Sequence, residues 1–201
     1  MKKTILKTVA ITVAVLVAVT CLLYVCLMIF SPVTLGKLWD GLGSYDLSVK
    51  YYEKQYDKTG DINDLSAFTV KLDEKGDAER TAKYLAVMVD REDFNSFCTK
   101  SDDNSGYGFS ARDYYYGKYT VATFYFGGLD SALNVAEKCV NEKYSAHSPF
   151  YVLMAEAEEL KKADADRIAV KIGEIILTGR LSAEELINAN SDISFAYKLK
   201  G

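Results

Sequence analysis

Hydrophobic residues follow two different patterns along this chain. Residues 8–30 form a continuous apolar run of 23 residues that contains no charged residue, glycine or proline. As a helix with a rise of ~1.5 Å per residue, this run would be roughly 35 Å long, enough to cross a hydrocarbon core of ~30 Å. Beyond residue 43, apolar residues recur every three or four positions, which is the period of an amphipathic helix. The two patterns predict a transmembrane helix followed by an all-α domain.

Short polar or glycine-containing segments interrupt the helical pattern. They leave helices of ~12–15 residues, and such short connections place consecutive helices side by side as antiparallel hairpins. The last helix should begin at Ser182, because Glu185 follows three residues later in the arrangement of a capping box. The predicted interruptions are Thr59-Gly60, Gly76, residues 100–106, Gly127-Gly128, residues 147–149, residues 161–164 and Thr178-Gly179.

The residues that flank the apolar run predict its orientation. Three lysines precede it, whereas Lys37 and Asp40 balance each other on the far side, so the N-terminus should stay in the cytoplasm. A cleaved signal peptide is the alternative, but its apolar region is usually ~7–15 residues and ends in small residues at the cleavage site. We therefore predict an uncleaved signal-anchor in a bacterial plasma membrane, with the rest of the chain extracytoplasmic. The expected organisation is a cytoplasmic N-terminus (1–7), a transmembrane helix (8–30), a juxtamembrane segment (31–42) and a helical domain (43–201).

Charge is divided unevenly between these parts. The chain has 24 basic and 28 acidic side chains, a net charge of −4 at pH 7. The first 31 residues hold three of the lysines and no acid, which leaves 21 basic and 28 acidic side chains, a net charge of −7, for the remainder. An acidic domain lacks the basic face that a nucleic-acid binder turns toward phosphate. We therefore expect no nucleic-acid partner.

Three of the predicted hairpins share one spacing of residues. Each has a glycine, a small residue five positions later and a further residue, bulky in two copies, nine positions later. The glycine permits the turn between helices, and the small residue lets two helices approach closely. A fourth copy has Ala163 in place of the glycine. The three full copies are Gly43, Ser48 and Tyr52; Gly76, Thr81 and Leu85; and Gly127, Ala132 and Ala136.

This spacing resembles the second helix of a tetratricopeptide repeat, a family whose period is about 34 residues. The copies begin 33, 51 and 36 residues apart, so the longer interval requires an insertion around residues 95–112. The resemblance covers roughly residues 35–178 and implies antiparallel α-hairpins stacked as a tetratricopeptide-like solenoid. A plain α-helical bundle is the alternative.

The resemblance also implies a concave surface that binds a protein or peptide partner. Residues 112–119 contain four tyrosines, a residue type that offers a large contact area at low entropic cost. Ordinary packing of these tyrosines in a helical core is the alternative interpretation. The groove-lining residues that the resemblance implies are Asn63, Ser66, Val70, Tyr114, Val121, Phe124, Tyr125, Phe150 and Leu153.

Residue types that carry catalysis or bind metals are sparse. His147 is the only histidine, and no nucleophile motif accompanies it. Cys98 and Cys139 are not arranged as a C-x-x-C pair, so they favour no zinc site. They are compatible either with a disulfide, which an exported domain permits, or with two buried thiols.

Two acidic stretches, residues 57–64 and 101–106, imitate calcium-binding loops. In the first, the bidentate acid required at the twelfth position would be Phe68, and the second is shorter still. Both are better interpreted as polar turns between helices. We therefore expect no catalytic residue, no metal site and no cofactor.

The sequence thus favours a membrane-anchored scaffold or adaptor over an enzyme. Its plan is similar to that of bacterial single-pass tetratricopeptide proteins associated with secretion and envelope assembly. One alternative is an envelope enzyme or enzyme subunit on an α-hairpin scaffold. Another is a structural, self-associating anchor whose membrane helix pairs through Ala10, Ala14 and Ala18.

Overall fold

The structure, a computed structural model, describes residues 2–102 and 110–200 and is all-helical within those ranges. This confirms the predicted all-α class. The chain forms two compact units, residues 1–71 and 72–201. The helices are α1 (Lys2–Phe30), α2 (Pro32–Gly41), α3 (Tyr45–Thr59), α4 (Ile62–Lys75), α5 (Ala78–Val89), α6 (Phe94–Asp102), α7 (Ala111–Val140), α8 (Pro149–Glu156), α9 (Lys162–Leu177) and α10 (Ala183–Lys200).

Helices end or bend at the predicted glycines. Gly60 terminates α3 in the left-handed conformation with a φ of 61°. Gly128 interrupts α7 with φ 77° and ψ 179°, values that a residue with a Cβ adopts only under strain. Helix α7 therefore consists of two helical segments joined at a kink. The break expected within residues 100–106 lies partly outside the described residues.

The predicted capping box at the start of α10 is confirmed. The Ser182 backbone N–H donates to the Glu185 carboxylate at 2.8 Å, and the Glu185 N–H donates to Ser182 Oγ at 3.3 Å. The other Glu185 oxygen accepts the Tyr144 N–H at 2.9 Å. The bond from Tyr144, followed by those from Ser182, holds the pKa of Glu185 at about 2. One carboxylate thus caps α10 and ties it to the segment before α8.

In the first unit, α1 is followed by a hairpin of α2 and α3. Residues Leu6–Phe30 are long and apolar enough to cross a membrane, and every side chain from Leu6 to Val25 is exposed. Gly36 of α2 lies against Tyr52 of α3, where an added Cβ would come within 2.9 Å of the ring. Glycine is therefore needed at this helix crossing.

In the second unit, α7 packs against α5 and α8, and α9 packs against α10. A continuous apolar core runs through the second half of α7, α8, α9 and α10. The small residues predicted at helix crossings behave as expected, since Ala132 of this unit is completely buried. The larger side chains that are completely buried in this apolar core are Tyr144, Phe150, Leu153, Ile168 and Ile172.

The small residues of the other two repeat copies are also buried. Ser48 and Thr81 are 0% and 1% exposed, respectively. Among the described residues, neither Ser48 Oγ nor Thr81 Oγ1 has a hydrogen-bond partner. A buried hydroxyl without a partner is unfavourable. The size of these side chains, and not their polarity, therefore suits them to the helix crossings.

A buried carboxyl group joins α10 to the start of α8. Asp192 is 2% exposed, and its Oδ2 accepts hydrogen bonds from Tyr144 Oη at 2.8 Å and Ser148 Oγ at 2.5 Å. Burial raises the pKa of Asp192 from 3.8 to about 6, although both hydrogen bonds act in the opposite direction. At neutral pH, the ionised Asp192 therefore lowers the free energy of unfolding.

Substitution of Asp192 by Asn should remove part of the pH dependence of stability. Because the folded-state pKa is raised, the contribution of Asp192 is complete below 3.8 and is lost as the pH rises through about 6. The difference is about 3 kcal/mol, at about 1.4 kcal/mol per unit. The free energy of unfolding of Asp192→Asn relative to the native chain should therefore rise by up to that amount between about pH 4 and pH 7.5.

Urea unfolding of the detergent-solubilised chain, followed by circular dichroism, would measure this difference. Glu184→Gln, which neutralises an exposed acid on the same helix, is the matched control and should leave the pH dependence unchanged. A native-like pH dependence in Asp192→Asn would contradict the interpretation.

Candidate functional site

A small cavity of about 120 Å³ lies between α7 and α8 in the second unit. Its lining is mostly apolar and includes rings from both helices, which makes it the best-formed candidate for binding an apolar group. The described lining residues are Asp113, Tyr114, Lys118, His147, Tyr151, Val152, Ala155 and Glu156.

Helical spacing places these residues on facing sides of two helices. Tyr114 and Lys118 are four residues apart on α7, and Tyr151 and Ala155 are four apart on α8, so each pair shares one face. Between them, Gly117 lies so close to α8 that an added Cβ would come within 2.7 Å of Val152 Cγ1. The two helices therefore cross in close contact beside the cavity, and Val152 belongs to both the crossing and the cavity lining.

One lysine forms the charged edge of the cavity. Lys118 Nζ donates to Glu156 at 2.9 Å, lies 3.2 Å from an Asp73 oxygen, and lies 6.0 Å from the centre of the Tyr114 ring. Burial by itself would lower the pKa of Lys118, but the hydrogen bond to Glu156 and the two carboxylate charges raise it. Lys118 therefore stays protonated and crosslinks α7 to α8.

Tyr114, which lines the cavity beside Lys118, has a perturbed pKa. Burial raises the pKa of Tyr114, opposed by the charge of Lys118. Its ring packs edge-on against the neighbouring Tyr115, with centroids 5.1 Å apart. Tyr114 is therefore a neutral, amphipathic wall with its ring fixed by packing.

The only histidine of the chain lines this cavity. His147 packs edge-on against Tyr151, with ring centroids 5.8 Å apart. It precedes Ser148, whose Oγ caps α8 by accepting the Tyr151 N–H at 3.1 Å. The sequence predicts only a loop histidine here, whereas the fold brings this side chain to an aromatic site.

The size of the cavity limits what it can hold. Binding sites for drug-sized ligands are roughly 300–1,000 Å³, whereas an apolar cavity of about 150 Å³ accommodates benzene. A volume of about 120 Å³ suits one aliphatic or small aromatic group. The cavity can therefore accept a single side chain of a partner more readily than a whole metabolite.

The groove residues of the second unit are only partly brought together. Tyr114 lines the α7–α8 cavity, and Tyr125 is 43% exposed with its Oη accepting the Glu158 N–H at 3.1 Å. Phe124 is half-buried against the apolar core and packs edge-on against Tyr125. The remaining three, Val121, Phe150 and Leu153, are buried, the last two completely.

The other groove residues lie on α4 in the first unit. Asn63 is exposed, and its backbone and side-chain N–H groups both donate to Asp61 Oδ1 at 2.7 Å. Ser66 and Val70 are half-buried, and the Ser66 carbonyl accepts Thr69 Oγ1 at 2.8 Å. The Asp61 carboxylate of the calcium-like stretch thus caps the start of α4.

A second cavity of about 340 Å³ adjoins α6 and the start of α7. Its described lining is polar and includes both Cys98 and Cys139, which are free and buried thiols. Burial raises the pKa of each thiol to about 12, so neither is a thiolate at neutral pH. Its described lining also includes Asp102 and Ser110.

Metal-ligating residues do not converge in the part of the chain that the structure describes. No group of three or more His, Cys, Asp and Glu side chains there is placed to hold a metal ion.

The groove residues that the resemblance implied coincide with the α7–α8 cavity at Tyr114 alone among the described lining residues. On α8, Phe150 was implied where the next residue, Tyr151, lines the cavity, and neither Lys118 nor Glu156 was singled out. One residue corresponds to about 100° of rotation about the helix axis, so this displacement exchanges a surface position for a core position. The four-residue spacings of Tyr114 with Lys118 and of Tyr151 with Ala155 are the signal that was available.

Comparisons with known proteins do not assign this chain to a family. No protein-family model matches it, and no curated protein matches it significantly.

Close approach of α7 and α8 should depend on the absence of a side chain at Gly117. Gly117→Ala should lower the free energy of unfolding by about 1–3 kcal/mol, because the methyl group would overlap Val152. In a Val152→Ala background the same substitution should become neutral or stabilising, since alanine favours the helix by about 1 kcal/mol over glycine. Urea unfolding of the four chains as a double-mutant cycle would measure this coupling. Equal effects of Gly117→Ala in both backgrounds would argue against the close contact.

Proposed function

We propose that this protein is a single-pass membrane protein that presents a tetratricopeptide-like helical domain outside the cytoplasm as an adaptor. The site that engages a partner is the α7–α8 cavity. It accepts one apolar side chain of an extended or helical peptide, and the charged pair Lys118 and Glu156 at its edge orients the partner.

The observation that carries this proposal is the chemistry of that cavity. It combines two tyrosine rings with aliphatic walls and a few polar groups at the edge, which is the composition of a protein-binding hot spot. Its volume fits a side chain and not a typical enzyme substrate. A binding role is therefore better supported than a catalytic one.

The repeat spacing and the apolar helix support the remaining parts of the proposal. The small residues Ser48, Thr81 and Ala132 are buried as stacked hairpins require. Helix α1 exposes twenty consecutive residues, Leu6–Val25, whose length of ~30 Å matches a hydrocarbon core. Lysines on its N-terminal side favour a cytoplasmic N-terminus.

Protease added to intact spheroplasts should degrade the region after α1 and leave an N-terminal tag protected. This outcome follows from the excess of lysine before the apolar helix. Immunoblotting of the tag and of a C-terminal epitope would follow both ends, and detergent-lysed spheroplasts serve as the control in which both ends are cut. Protection of the C-terminal epitope together with loss of the tag would reverse the proposed orientation.

A photo-crosslinking amino acid at Ala155 should capture a specific partner protein. Ala155 is exposed and lines the cavity, and Ala163 is an exposed alanine of α9 away from the cavity lining. Capture from Ala155 should exceed capture from Ala163, and Tyr151→Ala should reduce it by removing one wall of the cavity. Mass spectrometry of the crosslinked products is the readout. Equal capture from both positions, or capture unaffected by Tyr151→Ala, would remove the cavity as the binding site.

A further inference from the structure

Negative charge surrounds the Tyr114 side of the α7–α8 cavity. Burial is the main cause of the raised pKa of Tyr114, and the charge of Lys118 opposes it. The charges of Asp73, Glu156 and Glu74 act in the same direction as burial. Three carboxylates therefore act on this hydroxyl group against one cation. We call these three acids, Asp73, Glu74 and Glu156, the acidic edge of the cavity.

The lysine at this edge is turned inward between two of the acids. Lys118 Nζ donates to Glu156 Oε2 at 2.9 Å and lies 3.2 Å from Asp73 Oδ2. Its side chain is 24% exposed, whereas those of Asp73 and Glu156 are 38% and 43% exposed. A group that approaches from solvent therefore meets the carboxylates before it meets the ammonium group.

These two carboxylates retain acceptor capacity. A carboxylate can accept hydrogen bonds at both oxygens, and Lys118 contacts one oxygen of each. Asp73 Oδ1 and Glu156 Oε1 have no hydrogen-bond partner in the part of the chain that the structure describes. A second cation can therefore bind at this edge without displacing Lys118.

A further carboxylate belongs to the lining of the cavity itself. Asp113 lies in the first turn of α7, and its carboxylate has no hydrogen-bond or ion-pair partner among the described residues. Arg112, the basic residue next to it in sequence, donates instead to Glu142 and to Tyr116 Oη. The acids around the cavity thus exceed the cations available to them.

The aromatic walls are compatible with a neighbouring cation. A tyrosine ring attracts positive charge over its face, and Lys118 Nζ already lies 6.0 Å from the centre of the Tyr114 ring. The cavity volume of about 120 Å³ accommodates one apolar group. An apolar side chain in the cavity with a cationic group beside it would therefore match both parts of the site.

The charge of the whole second unit has the same sign as that of the acidic edge. Residues 72–201 contain 16 basic and 22 acidic side chains, a net charge of −6 at pH 7. Such a surface attracts a positively charged partner during encounter and repels a negatively charged one. Long-range and local electrostatics thus favour the same class of partner.

We propose that the partner segment is basic: its apolar side chain enters the α7–α8 cavity, and a neighbouring lysine or arginine pairs with the acidic edge. This inference rests on the proposed function and narrows it from any peptide to a cationic one. An acidic partner, or a second copy of the acidic second unit, would bring like charges together at this edge.

The test compares three tripeptides that share a central leucine and differ in charge. They are acetylated and amidated, and the leucine is flanked on both sides by arginine, by glutamine or by glutamate. Each is titrated into the full chain in lipid nanodiscs, with alanine methyl groups labelled by carbon-13. The Ala155 methyl group lines the cavity and reports binding, and that of Ala163, away from the cavity lining, is the control.

We expect the arginine peptide to bind about two- to fivefold more tightly than the glutamine peptide, which is the range for a partly exposed ion pair. The glutamate peptide should bind more weakly than the glutamine peptide. Raising the salt concentration from about 0.05 M to about 0.5 M should remove most of these differences, because the charges become screened. This titration tests the proposal on the native chain, without a substitution.

A charge-neutralised variant provides the second test. Asp73→Asn combined with Glu74→Gln should remove most of the preference for arginine and leave the glutamine peptide unaffected, because neither residue lines the described cavity. Asp57→Asn combined with Glu184→Gln removes the same amount of charge at two exposed positions outside the acidic edge. This control variant should keep the native preference.

The outcomes separate this inference from the proposed function. Equal affinities for the three peptides, each weakened by Tyr151→Ala, would overturn the basic partner and leave the cavity as an apolar binding site. Tighter binding of the glutamate peptide, or a preference for arginine that survives neutralisation of Asp73 and Glu74, would also overturn it. Shifts of the Ala155 methyl group no larger than those of Ala163 with any peptide would overturn the cavity and the basic partner together.

Discussion

Close approach of helices through small residues is the constraint on which both units depend. At the α2–α3 crossing, the absence of a side chain at Gly36 leaves room for the ring of Tyr52. At the α7–α8 crossing, the absence of a side chain at Gly117 leaves room for Val152. Alanines play the same part in the apolar core of the second unit. Because each crossing has room for no extra methyl group, the rotation of each helix about its axis is restricted. That rotation decides which side chains enter the core and which remain at the surface.

The α7–α8 cavity follows from that restriction. At Gly117 the two helices are in close contact. Next to this crossing, the large side chains of Tyr114 and Tyr151 keep the helices apart and leave a space between them. Lys118 crosslinks the helices at the edge through Glu156. The cavity is thus the space left where a close crossing gives way to large side chains, and its walls are fixed by packing and an ion pair.

The two units differ in where their large apolar side chains lie. Helix α1 presents a long apolar surface that no part of the first unit covers from Leu6 to Val25. The second unit instead buries its large apolar residues in one continuous core. The proposed function assigns a lipid-facing role to the first unit and a protein-facing role to the second on the basis of this contrast.

Features that depend on neighbours within one or two helical turns could be predicted from the sequence. The apolar run, the glycine breaks at Gly60 and Gly128, and the Ser182 and Glu185 capping box were all predictable, because spacing of three or four residues and backbone conformation are local properties. The burial of small residues at the repeat positions followed from the same reasoning.

Tertiary packing sets the rotation of each helix and the distant residues that meet. It moved Phe150 and Leu153 into the core and brought Tyr151 to the cavity, an exchange that one residue of rotation produces. It also placed Asp192 against Tyr144 and Ser148, which are 48 and 44 residues away along the chain. The physical reason is that periodicity identifies an apolar face only to within about one residue, whereas close packing selects one rotation among the few that this face permits.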